Sequence, residues 1–528
     1  MNTVKSGTLL ALFALSYASA FAATTVTVSD VTSLTNALAS LPSPRVIYLE
    51  KGVYDVSDCL GELCKGVSTG RLSFPNGHDV TLAGVEGARR GDVVITAPSS
   101  AGRRLIGLSK GTLTLTNLTL ACSAGGGIRF GNADSLLTAT DCVFSNLTAD
   151  AGAVVWRYYP EADSVIADRY RNCLFADNHA TDTSAGCLYA RGAVATDCVF
   201  SNNTARTNGG AVLSGSYVRC AFVSNSVMAA TTSAGGGAIG NDYQNGFCTD
   251  CTFVGNSLGG SGHGAAIHRA NALTNCVFRE NVAPVNGIVG TVASEMIGCT
   301  FEDNETQRCL VESVGSLSRC VISGNKTGVL LVPDAAVWAN CLVASNRVAK
   351  YQGVAKGTFF NCTFVGNFCS SGAVTESILT GDSTAVNCLF YQNFAHYSEQ
   401  SPAYLDVALR FADSTLTTPL TPCLTNCLWT ADMTYPGHTE AARARTQNSE
   451  RKEASRFHFA GSGEHPHALA FGAAARYPGL LDENVRAAVG EVDLAGNPRI
   501  ENGVNGPYIT LGCYQYQRSS DGLLLLVR

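Results

Sequence analysis

The hexapeptide CTFVGN occupies residues 251–256 and recurs, letter for letter, at 362–367. Each copy alternates apolar and polar residues and ends on asparagine. Relaxed to Cys-x-Phe-x-x-Asn, the word begins at Cys142, Cys173, Cys198, Cys220, Cys251, Cys276, Cys299, Cys320, Cys341, Cys362 and Cys388, with a mean spacing of 24.6 residues. Counting the cysteine as position 0, position +2 is Phe in nine of the eleven copies, with Ile322 and Val343 as exceptions. Position +5 is Asn in ten, and the first copy carries Asn146 one residue early. Position −3 is mostly apolar, as in Leu273, Met296, Leu317, Trp338 and Phe359. A period in this range marks a solenoid.

Short apolar alternations bounded by Asn, Asp and Gly are strands. A coil of this length holds three short strands and three turns. Stacking the coils sets each strand parallel to its copy, about 4.8 Å away. Like residues then form ladders of Cys, Phe and Asn. The rings fill the core, and each asparagine amide bonds the next while tolerating the turn conformation. Leucine-rich repeats have a similar period, but their Leu-x-x-Leu-x-Leu framework is missing. The expected fold is all-β, a right-handed parallel β-helix. Positions 0 and +2 should face the core and +1 should face out.

A second ladder follows each asparagine: Gly209-Gly210-Ala211-Val212, Gly236-Gly237-Ala238-Ile239, Gly264-Ala265-Ala266-Ile267 and Gly372-Ala373-Val374. Small residues there permit a tight corner. Together the Phe-x-x-Asn and Gly-Gly-Ala-Ile words resemble the repeats of the chlamydial polymorphic outer-membrane proteins, over roughly residues 140–395. That resemblance implies display at a cell surface. Members of that family end in a large translocating barrel, whereas about 130 residues follow the last copy here.

The flanks divide the rest. Residues 1–22 read as an export signal, with Lys5, an apolar run at 9–15 and small residues at Ala18, Ala20 and Ala22. Residues 23–120 are expected to hold a capping helix at 33–41 (SLTNALASL) and cysteine-poor first coils. These include Val80-Thr81-Leu82 and Leu113-Thr114-Leu115. The repeat β-helix takes 121–395. Residues 396–528 take the last coils, a polar loop at 432–456 and a closing module. In that module DLAGNPRI (493–500) and ITLGCY (509–514) resemble the tail of secreted, anchor-associated bacterial β-helix proteins. No run is long enough to span a bilayer once the signal is removed. The 528 residues carry 15% charged residues, 54 glycines and a net charge of −6. Nothing in that composition suggests nucleic acid.

The 21 cysteines of an exported chain invite disulfides. The ladder argues for buried thiols instead, since a strand spacing slightly exceeds the Cβ separation a disulfide prefers. Cys59 and Cys64 form the best candidate pair, and Cys248 and Cys251 fall on core phases.

Catalysis on such a stack needs carboxylates at one phase of adjacent coils. The only such pair is Glu280 and Asp303 at +4, flanked by Arg279 and Glu302, which are expected to pair as a surface ion pair. The histidines at 263, 268, 458, 465 and 467 read as surface or packing residues. Neither metal nor cofactor is expected. Ligand contact is instead expected after the small-residue words, at Trp156, Tyr158, Tyr159, Tyr189, Arg191, Asp242, Tyr243, His268 and Arg269. Arg157 belongs to the same row, and the two longest intervals, 31 residues each, lie there. The sequence therefore predicts an exported, monomeric scaffold. It would bind an extracellular glycan or a surface protein along its length, in the manner of an adhesin. A polysaccharide lyase or glycoside hydrolase is the alternative.

Overall fold

Val277, Phe278 and Arg279 pair in parallel with Thr300, Phe301 and Glu302 of the next word in a computed structural model of the chain. The same register joins every word from Val143–Ala149 to Leu389–Tyr391. The structure describes residues 23–40, 42–59, 70–74, 77–98, 102–131, 135–157, 167–230, 235–240, 246–333, 336–349, 354–369, 378–379, 383–391, 393–398, 401–405, 424–430, 446–447, 450–452, 459–460, 474–475, 481–498, 500–503 and 506–509. The fold is an all-β, right-handed parallel β-helix with a helix over its N-terminal end.

One coil runs through Gly215–Val218, Ala221–Val223, Ser226–Ala230 and the small-residue word ending at Ile239. These build a leading sheet, a phenylalanine sheet, a trailing sheet and a small-residue face. The early words Val80-Thr81-Leu82 and Leu113-Thr114-Leu115 pair directly with each other in the leading sheet. Within the polar stretch 432–456, Thr446–Gln447 and Glu450–Lys452 also join the parallel ladder, because backbone groups of the preceding coil supply the pairing.

The corners recur at two phases. Residues just before the cysteine have φ near +50 to +57°, among them Asp141, Asn172, Asp197, Arg219, Asp250 and Asn275. So do residues at +4, including Asp177, Asn202, Ser224, Glu280 and Asp303, with Gly255, Gly324 and Gly366 in other copies. Short polar side chains and glycine tolerate this left-handed conformation best. The turn conformation therefore belongs to +4, not to the asparagine at +5 as the sequence suggested. Asn146 of the first copy is such a corner residue (φ 53°), and the +5 position of that coil is the buried Leu147.

Past the corner the asparagines are fully buried and continuous. In Asn281 the side-chain Nδ2 donates to Phe253 O at 2.9 Å and to Asn304 Oδ1 at 3.0 Å. Its Oδ1 accepts from the amide and Nδ2 of Asn256 at 2.9 and 3.0 Å. All four hydrogen-bonding positions of the side chain are filled, and the same pattern continues to Asn393.

Phe144, Phe175, Phe200, Phe222, Phe253, Phe278 and Phe301 stack with centroids 4.5–5.0 Å apart. Where +2 shrinks to Val343, the buried Trp338 occupies the core from position −3 of the same coil, against Phe359 of the next. The ladder thiols are buried, and each Sγ lies near a carbonyl two residues back, as Cys251 Sγ does at 3.3 Å from Thr249 O. Burial pushes the thiols of Cys341, Cys362 and Cys388 well above their ordinary range, so they act as small apolar groups. None of the ladder cysteines from Cys142 to Cys388 is in a disulfide. Cys64 lies outside the described residues.

One helix covers the N-terminal end of the stack and another packs on its side. The N-terminal helix, Val31–Ser40, buries Leu34, Ala37 and Leu38. It starts two residues before the predicted position because Asp30 caps it, its Oδ1 accepting the Ser33 amide at 2.7 Å. Arg45, itself buried, donates to Leu38 O at the helix C-terminus, where a cation is favoured. The C-terminal helix, Glu483–Val489, packs Val485 and Val489 on Phe360 and Val386 of the leading sheet. Leu494 of the DLAGN segment lies on the phenylalanine sheet against Leu342, Ala344 and Val365. That contact explains why these outward positions are buried while Thr252 and Thr300 are half-exposed.

Candidate functional site

Each residue after the small-residue word projects from the same face, and strand register lines them up. Arg129 pairs with Trp156, and Trp156 with Tyr189. The guanidinium of Arg129 sits 4.2 Å from the Trp156 ring centroid. Trp156 in turn stacks on Tyr189, with centroids 6.4 Å apart and planes 17° from parallel. Three coils thus present one continuous half-exposed π surface headed by a cation. Arg129 was missed in the sequence. Its signal was there, since Gly125-Gly126-Gly127-Ile128 is one more copy of the small-residue word.

Buried arginines hold this face from beneath. Arg104 donates to Gly152 O and Ala151 O, both at 2.5 Å, and burial lowers its pKa to about 9. Arg157 points inward, contrary to the expectation that it projects. Its guanidinium lies 4.1 Å from the Phe130 centroid, donates to Ser135 O at 2.7 Å and forms a fully buried ion pair with Asp168. Burial raises the Asp168 carboxyl above its ordinary range, opposed by Arg157 and by the Leu137 amide. Tyr158, Tyr159, Asp242 and Tyr243 lie outside the described residues.

Further along, bridges carry the row through Leu213, Gly240, His268, Gly290 and Glu312. His268 is only 5% exposed, and its Nδ1 has no hydrogen-bond partner among the described residues. Burial, with His263 and Arg269 nearby, lowers its pKa to about 3. A Cβ on Gly290 would come within 2.3 Å of His268 O and 3.4 Å of the imidazole. Over that gap Glu312 Oε2 reaches His263 Nδ1 at 2.5 Å, while Oε1 accepts the Gly287 amide at 2.8 Å. His263 stacks on His268 at 5.4 Å. Arg269 is exposed and Arg191 half-exposed.

Glu280 and Asp303 stand exposed at consecutive +4 corners. Beside them Arg279 Nη2 and Glu302 Oε2 form the expected surface pair at 2.7 Å, both partly exposed. The row before each cysteine is likewise engaged along the outer edge. Asn172 Nδ2 donates to Asp141 at 2.5 Å, Arg219 holds Asp197 at 2.7 and 3.0 Å, and Asn275 donates to Asp250 at 3.1 Å. Among the described residues no three His, Cys, Asp or Glu side chains converge as a metal site. His458, His465 and His467 lie outside those residues. No helix among them is long and apolar enough to cross a membrane.

No family model and no curated protein match the chain. Solved structures resemble it only distantly. ORF18 of Geobacillus virus E2 is 13% identical over 63% of this chain and 58% of its own, with a TM-score of 0.28. A PL6-family alginate lyase is 10% identical over 94% and 59%, at 0.34. The tailspike of E. coli bacteriophage HK620, solved with a pentasaccharide, is 11% identical over 94% and 85%, at 0.31. The chain spans under three fifths of the length of the first two. Scores this low transfer neither activity nor site to this chain.

Proposed function

We propose that the protein is an exported, surface-associated scaffold that binds an extended glycan along its small-residue face. The observation that carries this reading is the Arg129–Trp156–Tyr189 stack on three successive coils. The half-exposed ring edges offer apolar C–H surface to sugar rings, and the guanidinium supplies hydrogen-bond donors beside them. Because the coils repeat about every 4.8 Å, a polymer lying along the stack meets a new contact at each step. The resemblance of the repeats to chlamydial outer-membrane proteins supports placement at a surface. Trp156→Ala with Tyr189→Ala should abolish binding on a glycan array while the far-ultraviolet dichroism stays that of the parent. Binding equal to the parent refutes the reading.

One observation favours a second reading, a glycan lyase or hydrolase. His263 and Glu312 form an oriented acid–base pair in the notch over Gly290, on that same face. Release of unsaturated or reducing ends that stops in His263→Asn would establish it. No release from any glycan the protein binds would reject it.

A further inference from the structure

On the leading sheet, Arg169 and Arg171 flank the buried Tyr170, so both guanidinia point outward. Their Cα atoms are about 7 Å apart by strand geometry. Neighbouring coils set Thr138 and Thr140 on one side, and Val194 and Thr196 on the other. These residues line an open groove of about 350 Å³ together with Asp197 and Arg219. The nearby acids are already engaged, Asp197 by Arg219 and Asp141 by Asn172. Arg171 helps hold the Asp197 carboxyl below its ordinary range, after the larger effect of Arg219, but forms no ion pair with it. Among the described residues, Arg169 and Arg171 thus hold two exposed positive charges without an anionic partner, in a groove lined by threonine hydroxyls.

We infer that this groove binds the carboxylates or sulfates of an acidic glycan, which rests on the glycan reading above and specifies its substrate class. Guanidinium matches both anions through paired, charge-assisted hydrogen bonds. The groove adjoins the aromatic face around one corner. The chain leaves that face after Trp156 through Arg157 and enters the leading sheet through Asp168, next to Arg169. Arg157 and Asp168 are fully buried and bonded to each other. Trp156 and Arg169 are therefore the chain neighbours of the two members of one buried ion pair, which puts both within reach of one polymer. Nucleic acid is the less favoured polyanion. The chain carries a net charge of −6, and this patch is short, whereas nucleic-acid binders carry a long basic stripe.

The test measures affinity by calorimetry for polygalacturonate and chondroitin sulfate, for neutral dextran, and for a duplex DNA oligonucleotide. The variants are Arg169→Gln/Arg171→Gln and Trp156→Ala/Tyr189→Ala, with melting curves confirming the fold. The expected result is that the parent prefers an acidic glycan. The double-glutamine variant should lose about tenfold per arginine for it and keep whatever affinity for dextran the parent has. Equal affinity of the double-glutamine variant for the acidic glycans overturns the groove. If Trp156→Ala/Tyr189→Ala then still loses binding, the glycan reading survives that failure. DNA binding as tight as the acidic glycan, lost in the same variant, overturns the ligand class. Failure of the parent to bind any of the glycans overturns both proposals.

Discussion

Replacing Asn281 with alanine removes one rung of the asparagine ladder. The rung makes four hydrogen bonds, to Phe253 O, Asn304 Oδ1, the Asn256 amide and Asn256 Nδ2. Its neighbours are unequally affected. Asn304 Oδ1 keeps the Asn281 amide, and Asn256 Nδ2 keeps Phe222 O. The Asn256 amide loses the partner it has and lies where water cannot replace it. At about 1 kcal/mol for each of the other three hydrogen bonds, and about 1–3 kcal/mol for the buried amide left unpaired, the expected loss is about 4–6 kcal/mol. Asn281→Asp should cost at least as much, since a carboxylate cannot donate to Phe253 O and is buried without a cation. Urea unfolding followed by dichroism measures the loss, and hydrogen exchange at the Asn256 amide locates it. A loss under about 1 kcal/mol with unchanged protection at that amide would falsify the claim that the ladder stabilises the corner.

Three further outcomes follow from the same geometry. Phe278→Ala opens a void inside the ring stack and should cost about 3–5 kcal/mol in urea unfolding; a cost near zero means the ring is not packed there. A double-mutant cycle on Arg279 and Glu302 should give coupling of no more than about 1 kcal/mol, as for exposed pairs, and a much larger value would mean the pair is buried. For His268 the folded pKa of about 3 lies below the ordinary 6.5, so the unfolded chain takes up the proton first. Stability is then full above pH 6.5 and falls by about 1.4 kcal/mol per unit on acidification towards pH 3. His268→Phe should flatten that slope in melting temperatures taken between pH 7 and 5, and an unchanged slope would show that His268 protonates freely in the fold.

The coil and its register were legible because a stack forces like residues onto like positions, and period reveals them without any contact being known. The corner was misplaced by one residue for a physical reason. The +4 position accepts Asn, Asp, Ser, Glu or Gly, so it looks unconstrained, while the constant Asn beside it also suits a turn. Half of the aromatic face was readable from the Gly-Gly-Ala-Ile words. Arg157 was not, because its burial depends on Asp168, eleven residues away across an insertion. Glu312 was not either, since it reaches His263 only where Gly290 leaves the intervening coil without a side chain.

The local origin of the corners has a bearing on length. Each bend is made by residues of its own coil at −1 and +4, and each ladder bond runs only to the neighbouring coil. Apart from Val321 and Asn340, which meet the C-terminal segment at Leu494 and Val489, nothing in the interval from Cys320 to Cys341, 21 residues long, answers to more than its neighbouring coils. Excising that interval whole should bring Cys299 and Cys341 into register and shorten the rod by one strand spacing. Excising a partial interval would throw the thiol, phenyl and amide ladders out of phase together. Reach is therefore quantised, and a chain of this design changes how far it extends by whole words, without redesigning any of them.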